Sequence, residues 1–347
     1  MNELPGLDLR RLAAYLSQRG YDSGPLTAGL IEGGRSNVTY WIRGPRADWV
    51  LRRPPLGHVL ATAHDMAREY RVISALSGTA VPVPRPVLLC EDPTVLGAPF
   101  YLMQRVAGAV YRSPSQTGAL SRDQRTRLAR TLIDTLALLH RTDPAAVGLS
   151  GFGRPDGFLA RQVRRWGTQL AASRSRELPG IDQLAARLAA TVPPSGAAAI
   201  VHGDYRLDNL LVRDDAVAAV LDWEMSTLGD PLTDLGLLLV YWDGPPAGAD
   251  NPAPAGVGPR HGFPPGHVLT SWYADRTGAD LSHLAWYEAL GSFKLAAILE
   301  GIHFRYQQGL TVGTGFDRVG VLVPPLVAHG LAALDRHAAA HSARPGG

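Results

Sequence analysis

The stretch IVHGDYRLDNLLVRDDAVAAVLDWE, residues 200–224, determines how the rest of the chain is interpreted. It places an aspartate, Asp204, and an asparagine, Asn209, five residues apart on a polar segment. The apolar runs that follow flank an Asp-Asp pair and predict a β-hairpin that ends at Asp222. Because a hairpin returns the chain to its starting point, three oxygen-bearing side chains are expected to meet there.

The residue types in this stretch suit phosphoryl transfer. Mg²⁺ prefers oxygen ligands, so Asn209 and Asp222 are the candidate metal ligands. Asp204 is then free to orient a substrate hydroxyl and to accept its proton. The alternative interpretation is a capped turn whose acids lie on a solvated face.

The overall composition indicates a globular chain of enzyme size. The protein has 347 residues, too many for one ordinary core, so two lobes or domains are expected. Hydrophobic residues make up 46% and charged residues 19%, which excludes wholesale disorder. The net charge of +3 arises from 34 basic and 31 acidic residues, and no basic run resembles a nucleic-acid footprint.

The cysteine content and the apolar segments of the chain bear on its cellular compartment. The single cysteine, Cys90, excludes an intramolecular disulfide and a cysteine-rich metal site, which is typical of a reducing compartment. The N-terminus lacks the features of a secretory signal, and no stretch approaches the apolar length of a membrane span. We therefore expect a cytoplasmic protein.

Lys294 is the only lysine of the chain, so arginine must serve wherever lysine chemistry is usual.

The first hundred residues predict a mixed α/β region. One helix is expected to begin near Asp8, and another spans residues 61–76 with charged and apolar residues alternating at helical spacing. Short apolar runs bounded by glycine and proline predict strands, and the first three form an antiparallel meander. These runs cover residues 26–31, 38–43, 49–52, 87–90 and 100–106.

After Gly108 helical patterns dominate. Ser121 and Gln124 resemble a capping box at the start of a long helix ending at Arg141. Further helices are expected at residues 156–173, 181–190, 232–242, 281–308 and from 322 onward, with a Gly/Pro-rich loop at 243–266. The predicted fold class is therefore α+β, with an N-terminal antiparallel-sheet lobe over residues 1–106 and a mainly helical C-terminal lobe over residues 107–347.

The HGD motif and the LDWE that follows it resemble the aminoglycoside phosphotransferase and choline kinase group of small-molecule kinases. In that group of small-molecule kinases, these motifs stand in place of the H-R-D-x-x-x-x-N and D-F-G motifs of protein kinases. Within that group the chain resembles the kinase-like domains that occur alone in bacteria and fused to acyl-CoA dehydrogenases in animals. The segments behind this resemblance also include GGRSNVTYWI, VLRRPP, LDWEMSTLGDPLTDLG and FKLAAILEGIHFRYQQG. The resemblance implies a bilobal protein-kinase-like fold that binds ATP and Mg²⁺ between its lobes.

The glycine-rich segment between the first two strands is the candidate phosphate loop. Gly33 and Gly34 let backbone N–H groups approach phosphates, as in the loop that covers ATP in kinases. Ser36 and Asn37 are further candidate phosphate contacts. A plain Gly-Gly hairpin turn is the alternative, and the position ahead of the other motifs favours the nucleotide role.

Kinases carry a lysine on the third strand that pairs with a glutamate on the next helix. Here Arg52 stands at the lysine position and Glu69 lies on the following helix, so we expect Arg52 to bind phosphates with Glu69 as its partner. Unrelated surface charges are the alternative. The backbone groups from Gln104 to Val106, where the resemblance implies the inter-lobe linker, are expected to read the adenine edge.

The remaining candidate residues are cations of the C-terminal lobe. Arg206 lies two residues after Asp204 and is placed to neutralise charge on the transferred phosphoryl group. A structural ion pair with a nearby aspartate, Asp208 or Asp234, is the alternative. Helical spacing puts Lys294 and Arg305 on one face, which suits an anionic substrate, although surface charge is the more common explanation.

The expected function is ATP- and Mg²⁺-dependent transfer of the γ-phosphoryl group to a hydroxyl of a small molecule. The subfamily resemblance makes a hydroxyacyl compound, free or as its CoA thioester, a candidate acceptor. We expect no nucleic-acid or membrane partner, and a monomer or homodimer. The alternatives are an antibiotic kinase acting on aminoglycosides or macrolides, a choline-type kinase, and a pseudokinase that binds nucleotide or a partner without turnover.

Overall fold

A computed structural model describes residues 4–21, 24–31, 37–56, 65–245, 257–310 and 316–342. The chain divides into two compact units. The first unit comprises Met1–Gly108, Leu211–Arg213 and Ala218–Ser226. The second comprises Ala109–Leu210, Asp214–Val217 and Thr227–Gly347.

The first unit is built on a five-stranded antiparallel sheet. Its elements are α1 (Leu9–Gln18), β1 (Thr27–Leu30), β2 (Val38–Gly44), β3 (Ala47–Arg53), α2 (Met66–Leu76), β4 (Pro86–Cys90), α3 (Pro93–Leu96) and β5 (Phe100–Gln104). The strand order is β1-β2-β3-β5-β4. The predicted meander and the two later strands are thereby confirmed, and Asp8 caps α1 by accepting hydrogen bonds from the Arg10 and Arg11 N–H groups.

The two faces of this sheet differ because side chains alternate along a strand. Leu51 of β3 and Leu102 of β5 belong to the apolar core that also contains residues of α1. Arg52 and Tyr101, each one position away from those leucines, are direct cross-strand partners on the opposite face. Both contact Glu69 of α2. Strand alternation thus places Arg52 on the face of the sheet that contacts α2.

The second unit is mainly helical. Its elements include α4 (Pro114–Thr117), α5 (Arg122–Arg141), α6 (Phe158–Ser173), α7 (Ile181–Ala190), β6 (Ala199–Val201), β9 (Thr227–Gly229), α8 (Leu232–Asp243), α9 (Gly266–Thr277), α10 (Leu284–Gln307) and α11 (Val323–Ser342). The predicted helices are confirmed within a few residues. Helix α10 packs against α6, α7, α8 and α11, which buries it on nearly all sides and explains its lack of a polar face.

The predicted hairpin consists of β7 (Leu210–Arg213) and β8 (Ala216–Val220). Its two turn residues, Asp214 and Asp215, have φ of 53° and 60°. Two consecutive left-handed residues are the signature of a type I′ turn, whose twist matches that of the strands. Aspartate tolerates this conformation better than most residues, which explains why the pair separates the two apolar runs.

Two parts of the second unit differ from the expectation. Helix α9 was not predicted, although Leu269 and Tyr273 are buried four residues apart and Gly278 ends the helix with φ of 69°. Strands β6 and β9 pair antiparallel over three residues each, which is too short to leave a periodic signal. Of the predicted loop at 243–266, residues 246–256 lie outside the described residues.

One helical stretch, Phe316–Ser342, is long and apolar enough by length and composition to cross a membrane. This differs from the expectation that no stretch approaches such a length. Half of its most apolar window is buried within the protein, where α11 packs against α10. Buried core helices of globular proteins meet the same criterion.

Candidate functional site

The HGD loop, residues 202–209, leaves the end of β6 and is held in place by α8. Gly203 has φ of 88°, a conformation that only glycine adopts without strain, and this explains the glycine of the motif. The Asp234 carboxylate accepts hydrogen bonds from the backbone N–H groups of His202 and Gly203, both at 2.7 Å. Asp234 therefore braces the loop.

Asp234 is itself supported by α5. The Nε2 atom of His140 lies 3.2 Å from the Asp234 carboxylate, and its Nδ1 atom lies 2.8 Å from the Tyr273 hydroxyl. Burial alone would raise the pKa of Asp234, but hydrogen bonding to His140 and the backbone N–H of His202 hold it below its ordinary value. His140 thus links Asp234 of α8 to Tyr273 of α9.

Three donors of the second unit hold the Asp204 carboxylate. The Tyr241 hydroxyl donates to Oδ1 at 3.0 Å, and Oδ2 accepts from Arg206 Nε at 3.2 Å and Asn209 Nδ2 at 3.1 Å. Burial would raise the pKa of Asp204, but the charges of Arg206 and Lys294 hold it below its ordinary value. Since 23% of the side chain is exposed, the ionised carboxylate remains within reach of a ligand.

Lys294 of α10 is buried beside the HGD loop. Its Nζ donates to the Gly203 carbonyl and lies 5.3 Å from the centre of the Trp166 ring. Burial lowers its pKa to about 8, although the charge of Asp204 acts in the opposite direction. Arg305 is exposed in the last turn of α10, about 16 Å further along the axis at 1.5 Å per residue. Of the two predicted cations, Lys294 is the one beside the loop.

Arg206 makes an ion pair of the kind that was considered as the alternative to a phosphoryl contact. It pairs with Asp204 as described and with Asp208 Oδ2 at 3.0 Å, while its guanidinium lies 4.8 Å from the centre of the Tyr241 ring. The predicted ion pair with Asp208 is therefore present. The same guanidinium also lies next to the Asp204 carboxylate.

Asn209 ends a short 3₁₀ turn and is buried. Its side-chain Nδ2 donates to the backbone carbonyl of Asp204 at 2.8 Å as well as to the carboxylate. Both hydrogen bonds use the amide nitrogen, so the amide oxygen is the atom with which Asn209 can ligate a cation.

The Arg52 cluster (Asn37, Arg52, Glu69 and Tyr101) lies in the first unit. Arg52 Nε is 3.2 Å from Glu69 Oε2, and the Glu69 carboxylate accepts from Asn37 Nδ2 at 2.8 Å and from the Tyr101 hydroxyl at 2.9 Å. Glu69 is 1% exposed, so these two charges are not the unrelated surface charges of the alternative interpretation. Burial raises the pKa of Glu69, and the charge of Arg52 opposes that rise.

Asp222 follows β8 and joins the Arg52 cluster. Its Oδ1 accepts from Arg52 Nη2 at 2.9 Å, and its backbone is left-handed with φ of 65°. Such strain in a residue other than glycine is typical of functional positions. Carboxylate oxygens of Asp222, Glu69 and Glu224 lie within 4.8 Å of one another, an oxygen-only donor set that fits a hard cation such as Mg²⁺.

Not every predicted nucleotide contact has a described position. Gly33, Gly34 and Ser36 lie outside the described residues, whereas Asn37 is placed in the Arg52 cluster. Gln104 is the exposed last residue of β5, and its N–H donates to the Arg85 carbonyl at 2.8 Å. The backbone N–H of Arg105 is engaged as well, since it donates to the Asp48 carbonyl at 3.0 Å, and Val106 is half-buried.

The sequence reasoning missed Tyr241, as it missed Glu224 of the carboxylate set. Tyr241 lies seven residues, or two helical turns, after Asp234, so both residues face the HGD loop from the same side of α8. This spacing is visible in the sequence. Its meaning depends on knowing that α8 packs against the loop.

Comparison with known proteins gives matches along most of the chain. A model of the phosphotransferase enzyme family matches residues 27–257. Acyl-CoA dehydrogenase family member 11 of Rattus norvegicus is 35% identical over 334 residues, which cover 93% of this chain and 43% of that protein. The chain thus spans less than half the length of the curated relatives it matches.

Solved structures share the fold. A Ralstonia eutropha protein, provisionally assigned as an aminoglycoside phosphotransferase, is 33% identical with a TM-score of 0.82, covering 95% of this chain and 98% of its own. An aminoglycoside phosphotransferase in complex with GDP and kanamycin is 18% identical with a TM-score of 0.61, over 96% and 99% of the two chains. The predicted fold class is confirmed by these likenesses.

Proposed function

We propose that this chain, which belongs to the phosphotransferase enzyme family, transfers the γ-phosphoryl group of ATP to a hydroxyl group of a small molecule. Family membership confirms the resemblance that the HGD and LDWE motifs indicated. The observation that carries the proposal is the Asp204 carboxylate, which is ionised, partly exposed and held by three donors of its own unit.

Asp204 is suited to orient the acceptor hydroxyl. An ionised carboxylate offers about four lone-pair positions, and three donors occupy part of this capacity. A substrate hydroxyl can donate to the remaining position. A carboxylate with a lowered pKa is a weak base, but phosphoryl transfer through a loose transition state depends more on positioning than on early proton removal.

The Arg52 cluster supports the nucleotide role of the first unit. Arg52 stays charged because the carboxylates of Glu69 and Asp222 raise its pKa against the effect of burial. A buried, fixed guanidinium is a suitable partner for phosphate oxygens. Asp222 and Asn209 are the proposed Mg²⁺ ligands, and bound Mg²⁺ would neutralise charge on the phosphates.

The acceptor proposed here is an anionic hydroxy compound. Two cations, Arg206 and Lys294, lie next to Asp204, which favours a negatively charged acceptor over a polycationic aminoglycoside. The leading candidates are hydroxyacyl compounds, free or as CoA thioesters, because the relatives are named acyl-CoA dehydrogenase family members.

A panel of acceptors tests the proposal. Protein, ATP and Mg²⁺ are incubated with hydroxy acids, hydroxyacyl-CoA thioesters, kanamycin, a macrolide and choline, and phosphorylated products are detected by mass spectrometry. Asp204→Asn is the inactive variant, and Asp215→Asn on the hairpin turn is the matched control. We expect a product from an anionic acceptor with the wild type and the control only.

Other outcomes separate the alternatives. Transfer to kanamycin, the macrolide or choline would contradict the anionic acceptor while preserving the phosphotransferase. Absence of transfer to every acceptor, with intact nucleotide binding, would favour the pseudokinase. A parallel series with GTP is informative because a structural neighbour was solved with GDP.

A further inference from the structure

Three histidines of the second unit meet where the start of α10 packs against the end of α11. His283 is the residue that precedes α10, and His337 and His341 lie in the last two turns of α11. Their ring centres are separated by 5.3 Å (His283–His337), 4.5 Å (His283–His341) and 4.3 Å (His337–His341). This histidine cluster has no part in the proposed phosphoryl transfer.

The cluster offers nitrogen ligands at close range. His337 and His341 are four residues apart and so lie on one face of α11, the spacing that zinc enzymes use for paired histidines. One ring nitrogen from each of the three histidines can be chosen so that all three lie within 4.8 Å of one another. The packing of α10 on α11 brings His283 next to the other two histidines.

The protonation of His341 suits metal binding. Its Nδ1 atom lies 2.8 Å from the backbone carbonyl of His337. A carbonyl only accepts, so Nδ1 carries the hydrogen and Nε2 carries the lone pair. A ring oriented through its other nitrogen in this way is the usual arrangement of a metal-ligating histidine.

His337 supplies a second, independent indication. It is 9% exposed, and its Nδ1 has no hydrogen-bond partner among the described residues. A buried polar atom without a partner is unusual in a folded protein, and a cation would satisfy it.

We propose that His283, His337 and His341 bind a divalent transition-metal ion, with Zn²⁺ as the preferred ion. Three imidazoles and one open position form a recognised zinc ligand set, whereas Mg²⁺ requires oxygen ligands. At a Zn–N distance of about 2.0–2.1 Å the ligand nitrogens lie about 3.3 Å apart, so they must approach by at most about 1.5 Å.

The two outer rings can make this movement. His283 and His341 are half-buried and stacked with an interplanar angle of 18°, so side-chain rotation brings one of them out of the stack. The bound ion would connect the end of α11 to the start of α10. A ligand that binds only the folded protein raises its stability, so the site would act as a structural clamp.

The test uses the full chain without an affinity tag. Zn²⁺ affinity is measured by competition with a chromophoric chelator, and Co²⁺ is used as the spectroscopic probe. The variants are His283→Ala, His337→Ala and His341→Ala, and the control is His267→Ala, an exposed histidine of α9. Loss of orienting partners outside a metal's ligand set costs 10–100-fold in affinity, so loss of a ligand should cost more than about tenfold.

We expect one Zn²⁺ per chain, weakened in all three variants and unchanged in the control. Zn²⁺ should raise the Tm of the wild type and of His267→Ala, but not of His341→Ala. Co²⁺ should give the intense visible bands of a four- or five-coordinate site. Equal Zn²⁺ affinity in wild type and variants, or the weak spectrum of six-coordinate Co²⁺ in the wild type, would overturn the proposal. Because His341 is half-buried at a helix end, His341→Ala keeps the test valid even if His337→Ala fails to fold.

Discussion

Replacing Lys294 by methionine removes the only lysine of the chain from a buried position beside the HGD loop. Burial lowers the pKa of this ammonium group from 10.5 to about 8 in the folded protein. Between these two values the unfolded chain binds more protons than the folded one. The free energy of unfolding of the wild type therefore rises with pH across this window.

The magnitude follows from the size of the shift. A pKa lowered from 10.5 to about 8 corresponds to about 3 kcal/mol at 1.36 kcal/mol per pKa unit. Lys294→Met lacks the titrating group. The free energy of unfolding of the wild type minus that of Lys294→Met should thus increase by about 3 kcal/mol as the pH rises from below 8 to above 10.5.

Urea denaturation of both proteins across this pH range measures the difference directly. Arg305→Met, which removes an exposed cation of the same helix, is the control and should give a difference that does not change with pH in this window. Since Lys294 is the only lysine, its amine can also be followed by NMR as a single side-chain resonance. A difference that stays flat, or that falls as the pH rises, would refute the argument from burial.

Three further substitutions test contacts that lie within the first unit or within the second. Arg52→Ala leaves the Glu69 carboxylate buried without its counter-charge and should lower the free energy of unfolding by about 3–5 kcal/mol in urea denaturation. Tyr241→Phe removes a hydrogen bond to the charged Asp204 and should lower kcat about tenfold, measured by ATP turnover. Asp234→Asn weakens the two bonds that hold the HGD loop and should lower the free energy of unfolding by about 1.5–3 kcal/mol.

Matched controls separate these effects from general damage. Arg127 pairs with Asp215 on the surface, so Arg127→Ala should cost less than about 1 kcal/mol, and an equal loss in Arg52→Ala would contradict the buried pair. Tyr306→Phe removes an exposed hydroxyl and should leave turnover unchanged. Equal turnover in Tyr241→Phe and wild type would show that Asp204 does not depend on this donor. Unchanged stability of Asp234→Asn would show that the loop is held by other contacts.

Local patterns predicted the elements and part of the site. Strand alternation and helix spacing are visible in the sequence. Together with the strand order they place Arg52 next to Glu69. The predicted proximity of Asp204 and Asn209 is observed because both residues belong to one short loop. Residues brought together within a few positions are therefore the easiest to predict.

Contacts between distant elements were harder to predict. Tyr241 reaches Asp204 only because α8 packs against the HGD loop, and no local pattern carries that information. Lys294 was expected as a substrate cation, but its burial follows from the packing of α10 among four other helices. His283 is 54 positions before His337, so only the packing of α10 on α11 brings these rings together.

Calorimetric titration of ATP into the protein, with and without Mg²⁺, tests the central claim most directly because it does not require the acceptor to be known. Asp222→Asn removes the charge of the proposed metal ligand, and Asp214→Asn on the hairpin turn is the control. The account predicts ATP binding that depends on Mg²⁺, is weakened in Asp222→Asn and is unchanged in Asp214→Asn. Absence of ATP binding under every condition, or equal binding by Asp222→Asn and wild type, would contradict it.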